Sequence, residues 1–288
     1  MTARTTGTIL DRIVADRRLR LAEDRRARPE VDLHARIAEA PPIVGLASRL
    51  RAGRAAAPAG ARLRLVAEIK RASPSKGVFD ADLDAVAQAG DYARAGAAAI
   101  SVLTEPDHFK GGIEDLAAVS ATFRTDRDRP ALLRKEFIFN PYQVLEARAF
   151  GADALLLIVM MLEPDALRDL LAQTRDLGME ALVEVHDEAE MSAALGAGAT
   201  VIGVNNRDLR TFQEDLGTFE RLASMAAPDS GVTLVAESAI RSREDARRMA
   251  DAGAHALLVG EALVRSGAVV ETARSFMLAP DAPREASG

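Results

Sequence analysis

The run Ala67-Glu68-Ile69-Lys70-Arg71-Ala72-Ser73-Pro74-Ser75-Lys76-Gly77 carries a carboxylate and an ammonium out of an apolar stretch (Leu63, Leu65, Val66, Ala67, Ile69) into a polar loop. Charge inside a buried strand is costly unless it is paired or used. The pattern recurs. Lys135 closes Pro130-Ala131-Leu132-Leu133-Arg134-Lys135, and Glu184 closes Ala181-Leu182-Val183-Glu184. Three strands ending in charge predict one polar site where the ends converge. Two ammonium and two carboxylate groups there can bind an anion and transfer protons in both directions. Burial and mutual repulsion would favour the neutral forms of Lys70 and Lys135, with Glu68 and Glu184 offsetting that.

The elements that must position these groups are legible from residue 63 onward. A short β-rich run, a helical segment and a Gly repeat as a unit. Strands are expected at 64–70, 98–103, 131–135, 154–158, 180–184, 200–204, 232–236 and 255–259. Helices are expected at 81–95, 112–124, 141–150, 163–177, 187–197, 215–226, 242–252 and 261–275. Gly-Ala pairs at 96, 151, 198 and 253 sit between a helix and the next strand, where Gly accepts the left-handed backbone of a helix end. Eight alternations predict an α/β fold, a (β/α)8 TIM barrel spanning 61–279. An open doubly wound sheet is the alternative, and no Gly-x-Gly-x-x-Gly follows the first strand to support a dinucleotide site. Residues 1–60 read as an N-terminal helical extension of two or three short helices. Ile9, Leu10, Ile13, Val14 and Leu21 recur at helical spacing, and Arg51 to Ala61 reads as a loop. Residues 280–288 read as a disordered tail.

In such a barrel the site lies at the C-terminal ends of the strands. Glu68, Lys70 and Ser73 come from the first strand, and Phe109 from the loop after the second. Lys135 and Phe137 follow the third, Glu184 and His186 the fifth, and Asn205 and Arg207 the sixth. Glu237, Ser238 and Ala239 follow the seventh, and Gly260 and Glu261 the eighth. The last two ends have small residues opening helices, which suits a phosphate. A substrate with a phosphate at one end and a carboxylate or carbonyl at the other fits this set. Glu237 reads chiefly as a residue that orients a neighbouring lysine. Phe109 and Phe137 are either core or walls for an aromatic substrate. His186 reads as a loop or capping residue rather than a catalyst. His34, His108 and His255 lack metal-ligand spacing, and Met160-Met161 reads as core packing.

The composition narrows the classes. The chain has 288 residues, 48% hydrophobic and 4% aromatic, and its net charge of −6 argues against non-specific nucleic-acid binding. The Arg-rich N-terminal segment is interleaved with Asp11, Asp16, Glu23 and Asp24 and reads as a solvated helix face. With no Cys, disulfides, thiolate metal sites and a Cys nucleophile are excluded. No signal core and no long apolar run is present, so no membrane partner and a cytoplasmic location are expected. Oligomeric state is not legible; a monomer is compatible.

The motifs closely resemble those of the indole-3-glycerol-phosphate synthase family. They are the run 67–77; Ser101-Val102-Leu103-Thr104-Glu105 with Phe109-Lys110-Gly111-Gly112; Leu133-Arg134-Lys135-Glu136-Phe137-Ile138 with Pro141-Tyr142-Gln143; Glu184-Val185-His186; Gly203-Val204-Asn205-Asn206-Arg207-Asp208-Leu209; and Ala236-Glu237-Ser238. The similarity runs from Ile9 to about Val270. It implies a carboxy-lyase of tryptophan biosynthesis that closes the ring of 1-(2-carboxyphenylamino)-1-deoxyribulose 5-phosphate, losing carbon dioxide and water. No metal or organic cofactor is implied. By matching position, the resemblance makes Lys135 the general acid, Lys70 the partner of the substrate carboxylate with a second role in dehydration, and Glu184 the general base, supported by Glu68. Asn205 bonds the reacting region. Ser73, Ser238, Ala239, Gly260 and Glu261 hold phosphate. Phe109, Phe137 and Leu258 wall the ring, Arg207 borders the substrate carboxylate or its loop, and Glu237 borders the substrate. Two positions depart from the pattern: Ala239 stands where many relatives have Gly, and Glu136 replaces the usual Asp, with its side chain expected to point away from the pocket. A sugar-phosphate isomerase of the neighbouring step would want a Cys, and a non-catalytic barrel would be expected to lose the strand-end lysines.

Overall fold

Short runs of Ala, Val, Leu and Ile form strands that are buried on both faces, as parallel strands enclosed by helices must be. The computed structural model describes residues 3–227 and 230–278. Its strands are β1 (Arg64–Ile69), β2 (Ala99–Leu103), β3 (Ala131–Lys135), β4 (Ala154–Ile158), β5 (Glu180–Val185), β6 (Val201–Asn205), β7 (Thr233–Glu237) and β8 (Ala256–Val259). Each pairs in parallel with its neighbour in sequence, and β1 closes on β8 with Arg64 opposite Ala256. The fold is a (β/α)8 barrel. The expected tail, 280–288, and Ala279 lie outside the described residues.

The helices are α1 (Ile9–Ala27), α2 (Glu30–Glu39), α3 (Leu46–Ala52), α4 (Ala85–Ala95), α5 (Ile113–Thr122), α6 (Pro141–Ala149), α7 (Pro164–Asp176), α8 (Glu188–Gly196), α9 (Gly217–Ala223), α10 (Arg243–Asp251), α11 (Glu261–Val264) and α12 (Val269–Phe276). Their starts are set by local chemistry. The Asp84 side chain accepts from the N–H groups of Val86 and Ala87, and Asn140 with Gln143 and Ser242 with Asp245 form capping boxes. Gly96 ends α4 at φ +93, where a Cβ would also lie 2.5 Å from Ala56 O.

Three features differ from the sequence reading. The 67–77 run folds back as a small hairpin, Ala72–Ser73 with Gly77–Val78, so α4 begins at Ala85 rather than near 81. The last helical segment is interrupted between Val264 and Val269 around Ser266-Gly267. The first helix is long, at 19 residues, and α3 takes the first two residues of the expected Arg51–Ala61 loop.

The N-terminal segment spans the barrel from end to end. Ile9, Leu10 and Ile13 of α1 reach the cavity at the C-terminal mouth. At the other end, the Val44 and Ala47 N–H groups donate to Asp153 and Glu180 (2.9 and 3.0 Å), and Arg51 Nε donates to Thr233 Oγ1 (2.8 Å). Among the described residues no helix is long and apolar enough to cross a membrane.

Candidate active site

A cavity of about 480 Å³ opens at the C-terminal ends of the strands. Glu68, Lys70, Ser73, Phe109, Lys135, Phe137, Glu184, Asn205, Arg207, Glu237, Ser238, Ala239, Leu258, Gly260 and Glu261 all line it. The eight strands bring these residues together from positions nearly two hundred apart in the chain.

Lys135 stands at the centre. Its Nζ donates to Glu237 Oε2 at 3.0 Å and to Glu184 Oε2 at 3.2 Å. Burial alone would lower its pKa, but Glu237, Glu184 and Glu68 more than reverse this and hold it protonated. The expected drift of this lysine toward neutrality is therefore overturned by three carboxylates where two were foreseen. Glu184 shows the counterpart: burial works to raise its pKa, while Lys135, His186 and Asn205 pull it well below the carboxylate range. Glu237 is pushed up, by burial first and then by Glu184 and Glu68, against the opposing pull of Lys135. Lys70 pairs with Glu68 at 2.6 Å.

Two glycines make room for these carboxylates. A Cβ on Gly203 would lie 1.9 Å from Glu237 Oε1, and one on Gly260 would lie 2.6 Å from Glu68 Oε1. Asn205 donates from Nδ2 to Glu184 Oε1 (3.1 Å) while its Oδ1 accepts from the Arg207 N–H (3.0 Å). Arg207 is occupied by Glu214, with Nε 3.1 Å from its carboxylate, and its Nη1 reaches Ser75 Oγ at 3.3 Å. It therefore ties the β6 loop to the β1 loop.

At one end of the cavity the chain turns through Ser238 and Ala239, both at φ +63. Beside it, the start of α11 leaves the Glu261 and Ala262 N–H groups without intrahelical acceptors. Ser73 adds a buried hydroxyl that has no hydrogen-bond partner among the described residues. At the other end Phe109 and Phe137 stack at a tilt, centroids 5.9 Å apart. Among the described residues no group of three or more His, Cys, Asp or Glu is arranged to hold a metal ion.

Several site residues were not legible in sequence. Ile9, Leu10 and Ile13 of α1 wall the cavity, and Glu214 and Arg241 line it as an ion pair. The only local signal for Glu214 is its seven-residue separation from Arg207. His186 is not the cap of α8; Asp187 is, accepting from the Glu190 N–H at 2.8 Å. Glu136 borders the cavity, and its carboxylate pairs with Arg17 (3.3 Å) and Arg134 (3.7 Å).

A closed parallel barrel with lysines and carboxylates paired at one mouth, beside a turn and a helix start rich in backbone donors, defines an acid–base enzyme class suited to anionic substrates. The family model for indole-3-glycerol phosphate synthase matches residues 10–276, and the chain belongs to that family. An indole-3-glycerol phosphate synthase of Roseiflexus sp. (strain RS-1) is 47% identical over 258 residues, covering 89% of this chain and 93% of that protein. One from Dehalococcoides mccartyi (strain CBDB1) is 43% identical over 270 residues, covering 93% and 100%. A solved 3-hexulose-6-phosphate synthase superposes with a TM-score of 0.57 at 14% identity, over 75% of this chain and 98% of that one, a likeness of fold alone.

Proposed function

We propose that the chain converts 1-(2-carboxyphenylamino)-1-deoxyribulose 5-phosphate to indole-3-glycerol phosphate, carbon dioxide and water, in tryptophan biosynthesis. The observation that carries this reading is Lys135, protonated and buried between Glu184 and Glu237 in a cavity with an aromatic wall at one end and backbone donors at the other. The phosphate sits against Ser73, Ser238, Ala239, Gly260 and Glu261. The aromatic ring lies among Phe109, Phe137 and Leu258.

Each residue then has a chemical task. Lys70, balanced by Glu68, pairs with the substrate carboxylate. The ring carbon bearing that carboxylate attacks the ribulose carbonyl, and Lys135 protonates the carbonyl oxygen as the carbon–carbon bond forms. The bond to the carboxylate breaks, carbon dioxide leaves, and its electron pair restores the aromatic ring. Dehydration follows. Glu184 removes a proton from the methylene carbon while an ammonium protonates the departing hydroxyl, with Lys70 the candidate acid. Glu184 is a weak base while Lys135 is charged. It becomes a competent one when Lys135 has given its proton away. Asn205 holds Glu184, Glu237 holds Lys135, and Arg207 fixes the loop over the carboxylate end.

The test is to supply this substrate and follow indole fluorescence. Turnover is expected, and folded protein with no signal would sink the reading. Lys135→Ala should lower kcat by ~10²–10⁴, the usual worth of a general acid. Undiminished turnover in that variant would remove Lys135 from its role.

A further inference from the structure

Behind the cavity wall, His186 is inserted between two carboxylates. Its Nδ1 lies 3.0 Å from Glu190 Oε2, and its Nε2 lies 3.3 Å from Glu184 Oε1 without the alignment of a hydrogen bond. The ring is 6% exposed and does not line the cavity. Glu190 is held to this task from both sides. The Asp187 cap fixes its backbone, and its Oε2 also accepts from the His186 N–H at 2.9 Å. The charged groups facing the imidazole are Glu184 from its own strand end and Glu190 from α8. The Val159–Met161 turn packed against α8 brings no charge, and Lys135 lies on the far side of Glu184.

The Glu184 carboxylate is thus divided. Oε2 faces Lys135, and Oε1 faces Asn205 and His186. In the proposed reaction Lys135 becomes neutral when it protonates the carbonyl. A carboxylate this deeply buried would then take up a proton from any source unless another cation remained. We infer that His186, clamped by Glu190, is a positioning residue that supplies that second cation, keeping Glu184 charged and turned into the cavity after Lys135 has given up its proton. Burial acts to neutralise the imidazole, and the charge of Glu184 together with the hydrogen bond and charge of Glu190 overcomes it, raising its pKa to about 10, so it is charged across the neutral range. The imidazolium transfers no proton itself. Its charge is what the step uses.

This inference rests on the role proposed for Glu184, and the experiment separates the two. The pH dependence of kcat is measured from about pH 5 to about pH 9 for the parent, His186→Gln and Glu190→Gln, using the carboxyphenylamino deoxyribulose phosphate. An inactive parent refutes the reaction itself. With an active parent, His186→Gln is expected to move the acid limb of kcat up by about one pH unit or more, the effect of removing an opposite charge at this range. On that limb kcat falls about tenfold at a given pH, while KM stays within about threefold because His186 does not touch substrate. Glu190→Gln is expected to give a smaller shift in the same direction, and it carries the test if His186→Gln does not fold. An acid limb superimposable on the parent's in either folded variant overturns the inference, as does a change confined to KM.

Discussion

Ala239 holds its methyl in the left-handed region at φ +63, immediately after Ser238 at the same φ. A Cβ there costs roughly 1–2 kcal/mol against the following carbonyl. Replacing it by Gly removes that strain but adds freedom to the unfolded chain, worth about 0.4–1 kcal/mol. Ala239→Gly should therefore stabilise the fold, by up to about 1.5 kcal/mol, read as a rise in the denaturant midpoint at constant m. A lowered midpoint would mean that the turn is not strained. The same scale shows what sequence could reveal. Lys70, Lys135 and Glu184 announced themselves as charges ending apolar runs. His186 did not, because its meaning depends on Glu190, which only the packing of α8 brings against it. The steric demand on Gly203 was equally silent, since the side chain it makes room for, Glu237, is thirty-four residues away in sequence.

The strand and helix alternation was legible because burial and helix ends impose local patterns, and the strands fall within a residue or two of their expected bounds. The hairpin at Ala72–Val78 was not, since its pairing reuses residues that read as loop. The seat of α1 was also hidden, because it is made by partners far along the chain. Arg17, buried in α1, lies 3.3 Å from Glu136, next to Lys135. Arg28 lies 3.0 Å from Glu146 just past the helix, and the Tyr142 hydroxyl donates to Asp24 O and Arg28 O. Removing one member of a buried pair leaves the other uncompensated, at a cost of about 3–5 kcal/mol. Here that cost falls on the docking of α1. Arg17→Met should loosen the helix that presents Ile9, Leu10 and Ile13 to the cavity. The expected result is a raised KM together with faster proteolytic cleavage within α1. A KM within about twofold of the parent and an unchanged cleavage rate would show that the apolar contacts of α1 suffice.

At the scale of the molecule, residues 3–60 are placed to act as a strap rather than an appendage. α1 borders the mouth, α2 packs on α6, and α3 lies across the N-terminal ends of the strands against β1, β2, β3 and β7. Leu46 and Leu50 of α3 are 0% and 1% exposed and share one continuous core with the barrel strands. We therefore propose that extension and barrel fold as one cooperative unit. Leu50→Ala distinguishes this from an extension that folds independently on a finished barrel. In a shared core, the lost transfer energy and the cavity cost about 2–5 kcal/mol of global stability. The loss appears as a lower denaturant midpoint with m unchanged, and signals from α1 and from the barrel move together. An accessory extension would instead detach early, giving two transitions, with the barrel midpoint shifted by less than about 0.5 kcal/mol. That pattern would separate the extension from the barrel energetically. It would also leave the mouth without its α1 wall under conditions where the barrel is still folded, so that substrate affinity would fail before structure does.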